Sequence, residues 1–171
     1  CRLVKEGQAA GFFSAGSTGA CLAAATLVVG RVKGVQRPAL AMPLPAPSHP
    51  VLLCDVGANA DCKPAYLVQF ARMAGIYAER ILGIPNPRIG LLNIGEEEGK
   101  DLAIKTHALM AKQVPGFAGN AEGRDILTGD FDVVVCDGFT GNVTLKTIEG
   151  TSKVLFKMVK EAMMSSAKAK I

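Results

Sequence analysis

The chain has 171 residues, of which 49% are hydrophobic and 20% are charged, so it can bury a core of ordinary domain size and is not disordered. Aromatic residues make up only 5% and tryptophan is absent, which argues against a stacking surface for nucleic acid. The net charge of +4 comes entirely from residues 146–171, where six lysines face two glutamates. This local basic segment predicts an acidic partner or an anionic surface on one side of the protein, and no nucleic-acid binding.

Apolar runs alternate with helical patterns along the chain. In chain order, strands are predicted at residues 11–15, 38–44, 51–56, 87–94 and 131–136, and helices at 20–29, 64–82, 101–113 and 143–166. Pro64 can occupy the first turn of its helix, and residues 115–116, a Pro-Gly pair, end the next one. This alternation predicts a single α/β domain over residues 1–171, with a mostly parallel sheet covered by helices on both faces.

The cysteines and the apolar runs give an expectation about compartment. Five cysteines without a CxxC pair argue against a disulfide scaffold and a zinc site, and two distant histidines give little support to a catalytic triad. Cys54 and Cys136 lie inside apolar runs, so we predict buried thiols without a catalytic role. The longest apolar run, residues 20–29, is half the length of a spanning helix, which needs about 20 residues. We therefore predict a cytoplasmic protein.

Glycine-rich polar turns follow four of the predicted strands, at residues 14–19, 55–61, 93–100 and 137–142. Ligands of parallel sheets bind beyond the carboxyl ends of the strands, so we expect these turns to converge on one site. Glycine turns that open helices expose backbone N–H groups, which favours an anion. None of the turns matches GxGxxG or GxxxxGK[ST], so no dinucleotide or nucleotide cofactor is predicted.

Two side chains in these turns suggest specific chemistry. Lys100 is the only lysine in the four turns and can meet a phosphate as a point charge. Asn142 lies at the mouth of the last helix, where its amide can donate to a developing oxyanion or can cap the helix. The three glutamates at 96–98 fit charge complementarity at a helix N-terminus as well as they fit divalent-metal binding, and no metal site is predicted.

Six strings at these positions resemble one family, the bacterial PlsX phosphate acyltransferases, in order and over practically the whole chain. They are VKEG at 4–7, SAGSTGA at 14–20, DVGANADCKP at 55–64, LLNIGEEEGK at 91–100, GNAEGRDI at 119–126 and DGFTGNVTLK at 137–146. Members of that family are about twice as long, so the chain is expected to be an incomplete portion of a longer one. Ser17 stands where the family has asparagine.

The resemblance implies a Rossmann-like α/β/α sandwich, related to phosphotransacetylases and isopropylmalate-type dehydrogenases, that forms a homodimer. It implies an enzyme without a cofactor that transfers a fatty acyl group from acyl carrier protein to orthophosphate. The product would be an acyl phosphate for phospholipid synthesis. The alternatives are an acyl-CoA phosphotransacylase on the same fold and a non-enzymatic ligand-binding domain.

The chemistry of this transfer assigns roles to the turns. Orthophosphate is itself a nucleophile, so the site must hold an anion beside a thioester carbonyl and stabilise the oxyanion that forms. We assign these catalytic roles to Lys100 and Asn142, and the matching residues of the family lie in its active-site region. The expected substrate-binding residues are Gly16, Ser17, Thr18, Gly19, Asn59, Gly95 and Gly141.

Residues 143–171 are predicted to form a long amphipathic basic helix. Its apolar residues Leu155, Val159 and Met163 are expected to pack in the core or in a dimer. The tip beyond Ser166 carries lysines and apolar residues together, and is expected to reach anionic lipid, so the protein is predicted to be peripherally membrane-associated. The lysines of residues 146–170 are expected to help to steer the acidic carrier protein.

Overall fold

A computed structural model describes residues 1–95 and 99–165 and contains one five-stranded sheet. Its strands lie in the order β1–β2–β5–β3–β4. β1 is antiparallel to β2, and the other neighbours are parallel, so β2, β3, β4 and β5 all end at the same edge of the sheet. The strands are β1 (Ala41–Leu44), β2 (Val51–Cys54), β3 (Ile89–Leu92), β4 (Phe117–Ala121) and β5 (Val133–Val135).

Helices cover both faces of this sheet, as predicted. They are α1 (Arg2–Lys5), α2 (Thr18–Ala24) with a π-helical turn at Ala25–Val29, α3 (Pro64–Arg80), α4 (Asp101–Gln113), a 3₁₀ turn at Gly123–Leu127, and α5 (Gly138–Ser165). Pro64 occupies the start of α3, where its missing N–H costs no hydrogen bond. Within residues 1–95 and 99–165, no helix is both long and apolar enough to cross a membrane.

The side chains of the strands alternate between two apolar cores. Val133 and Val135 of β5 face the core formed with α3 and α4, whereas Val134 faces the core formed with the 3₁₀ turn and α5. Both cores contain almost fully buried side chains, such as Phe70 of α3 in the first and Ile126 in the second. The protein is therefore a three-layer α/β/α sandwich, the fold class that the sequence predicted.

The strand predictions failed at two places in the chain. No strand forms at residues 11–15; residues 10–20 are all exposed and pair with no strand, so the apolar side chain of Phe13 remains 92% exposed. Conversely, β4 was missed, because its small and polar residues form no long apolar run. β4 exists because its backbone pairs with β3 in the parallel register. The other four strands were predicted correctly, and β1 lies at one edge of the sheet.

α5 begins five residues before the predicted residue 143. Asp137 precedes it, and the Asp137 Oδ1 accepts the backbone N–H of Thr140 at 2.8 Å, which is the geometry of an N-cap. Gly138 and Gly141 therefore lie in the first turns of a helix, although glycines so close together are typical of a loop. The glycines are there because α5 approaches other backbone very closely.

The buried carboxylate of Asp55, which follows β2, organises this edge of the sheet. Asp55 is 0% exposed, and its Oδ1 accepts the N–H groups of Leu40, Gly57 and Ala58 at 3.0–3.2 Å. Its Oδ2 accepts the backbone N–H and the side-chain amide of Asn59, both at 2.8 Å. Five donors offset the cost of burying this carboxylate, and together they fix the turn after β2.

The first turns of α5 lie directly on that turn. Gly138 donates its N–H to the Asn59 carbonyl at 2.7 Å, and a Cβ at residue 138 would meet the same carbonyl oxygen at 2.7 Å. A Cβ at Gly141 would overlap the carbonyl oxygen of Asp55 and lie 2.8 Å from the Cys136 sulfur. Only glycine therefore allows α5 to start this close to the end of β2.

Replacing Gly141 by alanine tests this close approach. Gly141→Ala is expected to lower the free energy of unfolding by about 1–3 kcal/mol, because backbone must move to accommodate the methyl group. Gly150→Ala is the matched control on the same helix, where a Cβ meets nothing within 4 Å. It should raise stability by about 0.5–1 kcal/mol through helix propensity. Urea unfolding followed by circular dichroism measures both, and shifts of equal sign would contradict the packing described.

Candidate functional site

Three of the four glycine-rich turns meet at one edge of the sheet. They follow β2, β5 and β3, which are neighbours in that order, and they comprise residues 55–61, 137–142, 93–95 and 99–100. The fourth turn, residues 14–19, does not follow a strand; it is exposed between α1 and α2 and does not line the cleft at these strand ends. The prediction that all four turns converge was therefore correct for three.

A cleft of about 270 Å³ opens between the turns after β3 and β5. Residues from β3, α3, α4 and the start of α5 line it: Leu67, Leu91, Leu92, Asn93, Ile94, Gly99, Lys100, Leu102, Ala103, Cys136, Asp137 and Thr140. A second, more polar hollow adjoins it and shares Lys100, Leu102 and Asp137 with it. The two hollows form one continuous candidate site around Lys100.

Lys100 is the cation of this cleft. It is exposed, immediately precedes α4, and has no ion-pair partner within residues 1–95 and 99–165. The positive end of the α4 dipole points to the same place, so the ammonium and the helix both favour an anion there. The nearby glutamates at 96–98, considered above for a metal, lie outside the described residues.

Asp137 and Thr140 form the opposite side of the cleft. The Asp137 Oδ2 accepts the hydroxyl of Thr140 at 2.8 Å while its Oδ1 accepts the Thr140 N–H at 2.8 Å. Both carboxylate oxygens are thereby bound to the first turn of α5, which fixes the orientation of the two side chains. Neither residue was singled out from the sequence.

Asn142 does not cap α5, because the helix already begins at Gly138. Its side-chain amide donates to the Val56 carbonyl at 3.2 Å and lies against Gly57, whose added Cβ would be 3.1 Å from that nitrogen. One amide hydrogen is used in this way, and the second has no acceptor within the described ranges. Asn142 therefore lies at the β2 side of the edge and Lys100 at the β3 side, with the end of β5 between them.

Three of the predicted substrate-binding residues have structural contacts. Asn59 donates its two amide hydrogens to the Pro38 carbonyl and to Asp55, each at 2.8 Å, so its amide belongs to the turn after β2. Gly141 allows the close approach of α5, and the Gly95 carbonyl accepts the amide of Asn120 at 3.0 Å. The predicted residues Gly16, Ser17, Thr18 and Gly19 line neither hollow.

The thiols near the site are poor nucleophiles. Burial, with the neighbouring Asp55 and Cys62 adding to it, holds the pKa of Cys54 far above its usual range. Burial likewise raises the pKa of Cys136 strongly, and raises the pKa of Cys62 to about 11. All three remain protonated near neutral pH, and a neutral thiol attacks a thioester poorly.

A repeated dipeptide marks the residues that the sequence analysis overlooked. A buried cysteine followed by an aspartate ends β2 and comes directly after β5, as Cys54-Asp55 and Cys136-Asp137, and a glycine follows each aspartate within two residues. In both cases the aspartate accepts backbone N–H groups of the turn or helix that comes next. An aspartate at the end of a buried apolar run was the available signal.

Comparisons with known proteins agree with this architecture. The family profile described as "Fatty acid synthesis protein" matches residues 1–171. The chain is 53% identical over 174 residues to a phosphate acyltransferase of Parasynechococcus marenigrum, covering 99% of this chain and 41% of that protein. It is 52% identical over 171 residues to a phosphate acyltransferase of Clostridium acetobutylicum, covering 99% and 52%. The chain thus spans about half the length of the curated relatives it matches.

Solved structures show the same fold at lower identity. A phosphotransacetylase from Streptococcus pyogenes superposes with a TM-score of 0.66 at 18% identity, over 88% of this chain and 53% of that one. The EutD phosphotransacetylase from Staphylococcus aureus gives a TM-score of 0.59 at 15% identity, over 75% and 46%. The α/β/α fold and the resemblance seen in the strand-end motifs are both confirmed. Because the family profile matches from the first residue to the last, this chain belongs to the fatty acid synthesis protein family.

Proposed function

We propose that the full-length protein is a phosphate acyltransferase, which transfers a fatty acyl group from acyl carrier protein to orthophosphate. The observation that carries this proposal is the cleft at the strand ends, which combines the cation of Lys100, unpaired among the described residues, with apolar walls from α3, β3 and α4. An acyl group and a phosphate need those two environments side by side. The relatives named phosphate acyltransferase, at about half identity, support the same reaction.

In the proposed reaction a phosphate oxygen attacks the thioester carbonyl carbon. A C–O bond forms and the C–S bond breaks. The carrier protein leaves as a thiol, because its sulfur takes up the proton that hydrogen phosphate gives up. The substrate supplies the nucleophile, so the protein contributes position and charge rather than a covalent intermediate. The raised pKa values of Cys54, Cys62 and Cys136 fit a mechanism in which no thiolate takes part.

Lys100 would hold the phosphate, with the N-terminus of α4 behind it. Asn142 would donate its second amide hydrogen to the oxyanion, from the neighbouring strand end, while its first hydrogen stays on Val56. The thioester would then lie across the end of β5, close to Asp137 and Thr140. Gly16, Ser17, Thr18 and Gly19 remain proposed phosphate contacts on the motif alone.

Two other functions fit parts of the molecule. An acyl-CoA phosphotransacylase is favoured by the fold, which the two phosphotransacetylases share. A non-enzymatic ligand-binding domain would need only the cleft and its cation. Phosphate-dependent thiol release, measured with acyl carrier protein and with acyl-CoA as the donor, distinguishes an acyl-CoA phosphotransacylase from the proposed enzyme. Thiol release from neither donor would support the ligand-binding domain.

The exposed apolar residues in the distal part of α5 are consistent with the proposed homodimer. Leu155, Val159 and Met163 do not pack in the core of this chain; they are 56–61% exposed. We propose that they pack against a second copy. The predicted lipid-binding tip beyond Ser166 lies outside the described residues. Lys146 and its neighbours on the exposed face would steer the acidic carrier protein.

Removing the cation tests the phosphate site. Lys100→Met is expected to lower turnover by roughly 100-fold or more, because one charge-assisted contact to the reacting anion is lost. Lys112→Met is the matched control, since Lys112 is an exposed lysine at the far end of α4. The readout is phosphate-dependent release of the carrier-protein thiol by the full-length protein. Equal rates for the two variants would remove Lys100 from the mechanism.

Asn142→Ala is expected to cause a loss of similar size. If both residues stabilise one transition state, the double variant should lose less than the product of the two single losses. Thermal unfolding of Asn142→Ala controls for the lost bond to Val56. Wild-type turnover in a folded Asn142→Ala protein would end its assignment.

The pH dependence of turnover distinguishes phosphate from a thiol as the nucleophile. Burial raises the pKa of Cys62 to about 11, so its thiolate fraction would grow about tenfold per pH unit up to that value. Phosphate attack instead predicts a plateau once phosphate is dianionic, and nearly full turnover in Cys62→Ala. A rate that climbs steadily through alkaline pH, and is lost in Cys62→Ala, would favour a covalent thioester enzyme.

The membrane contact is tested with the last residues of the sequence. Ala167→Glu combined with Ile171→Glu should release the full-length protein from anionic phospholipid vesicles, because each replaces apolar surface with negative charge. Flotation measures binding, and turnover in solution is the control. Vesicle binding that persists in the double variant would assign α5 to dimer packing alone.

A further inference from the structure

The cleft beside Lys100 changes character from its mouth to its floor. Polar atoms of Lys100, Asp137 and Thr140 lie at the mouth, whereas Leu67 and Leu91 line its interior and are 2% and 1% exposed. Side chains that line a cleft and are nearly inaccessible form its floor. The cleft is thus shaped for an amphiphile that has an anionic head and an apolar tail.

Exposure of the apolar wall to water costs free energy unless an apolar group covers the wall. Orthophosphate and a small acyl group such as acetyl would use only the mouth. The cleft, at about 270 Å³, is several times the roughly 30 Å³ that a water molecule takes in the liquid. Several carbon atoms of a chain can therefore enter, and each buried methylene would contribute about fourfold to affinity.

Two neighbouring residues of α4 line this space. Leu102 and Ala103 are both half-buried and both line the cleft, while the next residue, Ile104, points to solvent and is 55% exposed. Ala103 contributes only a methyl group to the lining of the cleft. A larger side chain at residue 103 would occupy the space itself.

We propose that the cleft holds the proximal part of the substrate's acyl chain and that Ala103, with Leu102 beside it, determines how well long chains are accepted. The carboxyl-derived carbon lies at the mouth beside Lys100, and the methylenes run inward toward Leu67. This inference rests on the proposed function, because it assigns the acyl chain of that reaction to a place. It adds a specificity-determining residue that takes no part in the chemistry.

The test is the preference for chain length in the full-length protein. For Ala103→Leu, the ratio of kcat/KM for hexadecanoyl over butanoyl carrier protein is expected to fall at least tenfold. Ala103→Val should give a smaller fall, and it keeps the test usable if the leucine variant does not fold. Ala108→Leu is the matched control: the same substitution at an exposed position of α4, away from the cleft, should leave the ratio within twofold.

A binding measurement separates the failure of this inference from the failure of the proposed function. Dodecyl phosphate and butyl phosphate carry the same head group and cannot transfer an acyl group. Calorimetry of the parent protein should show tighter binding of dodecyl phosphate, and Ala103→Leu should abolish most of that difference. If the parent protein is inactive but still binds dodecyl phosphate more tightly than butyl phosphate, the proposed reaction is refuted and the proposed acyl-chain cleft stands.

An unchanged chain-length ratio in a folded Ala103→Leu protein would overturn the inference while leaving the reaction intact. So would equal affinities of the two alkyl phosphates for the parent protein. Salt dependence of butyl phosphate binding reports on Lys100 independently of the apolar wall.

Discussion

The structure depends on one buried charge, the carboxylate of Asp55 at the end of β2. An ionised group with 0% exposure is tolerated only when hydrogen bonds replace its hydration, and here five donors do so. Those donors come from the approach to β1 and from the turn after β2. The same carboxylate therefore fixes the edge strand and the turn at once.

The rigidity of that turn determines where α5 can begin. Asn59 presents its carbonyl to Gly138, and Gly141 passes over the carbonyl of Asp55 with no room for a methyl group. α5 is held at both glycines, so Asn142, one residue further, is delivered to Val56 at the strand end. A buried charge, a tight turn and two glycines thereby orient an amide that has one hydrogen left for a ligand.

The site relies on positions and charge rather than on a reactive side chain. Its thiols are wholly or partly buried and have raised pKa values, and its cation lies at a helix N-terminus beside an apolar cleft. Such a site is suited to a reaction whose nucleophile arrives with the substrate. Preorganised donors and a fixed geometry are then the main contributions that a protein can make.

The layers of the fold, and the strand ends at which the candidate site lies, could be predicted from local patterns in the sequence. The alternation of apolar runs with helical patterns predicted four of the five strands, and α3 and α4 were predicted to within two residues at either end, because burial on both faces and helical periodicity are local signals. Lys100 was identified because a lone lysine in a glycine-rich turn is also visible locally.

The pairing and packing of these elements became visible only in the folded structure. β4 forms through its pairing with β3, and residues 11–15 form no strand because no neighbour pairs with them. The glycines that are typical of a loop form the start of α5, since the residues that Gly138 and Gly141 approach closely, Asn59 and Asp55, lie far away in sequence. The separation of Asn142 from the cleft of Lys100 follows from strand order, in which β5 lies between β2 and β3. Such contacts join chain segments that are far apart in sequence, so local periodicity and motif spacing do not predict them.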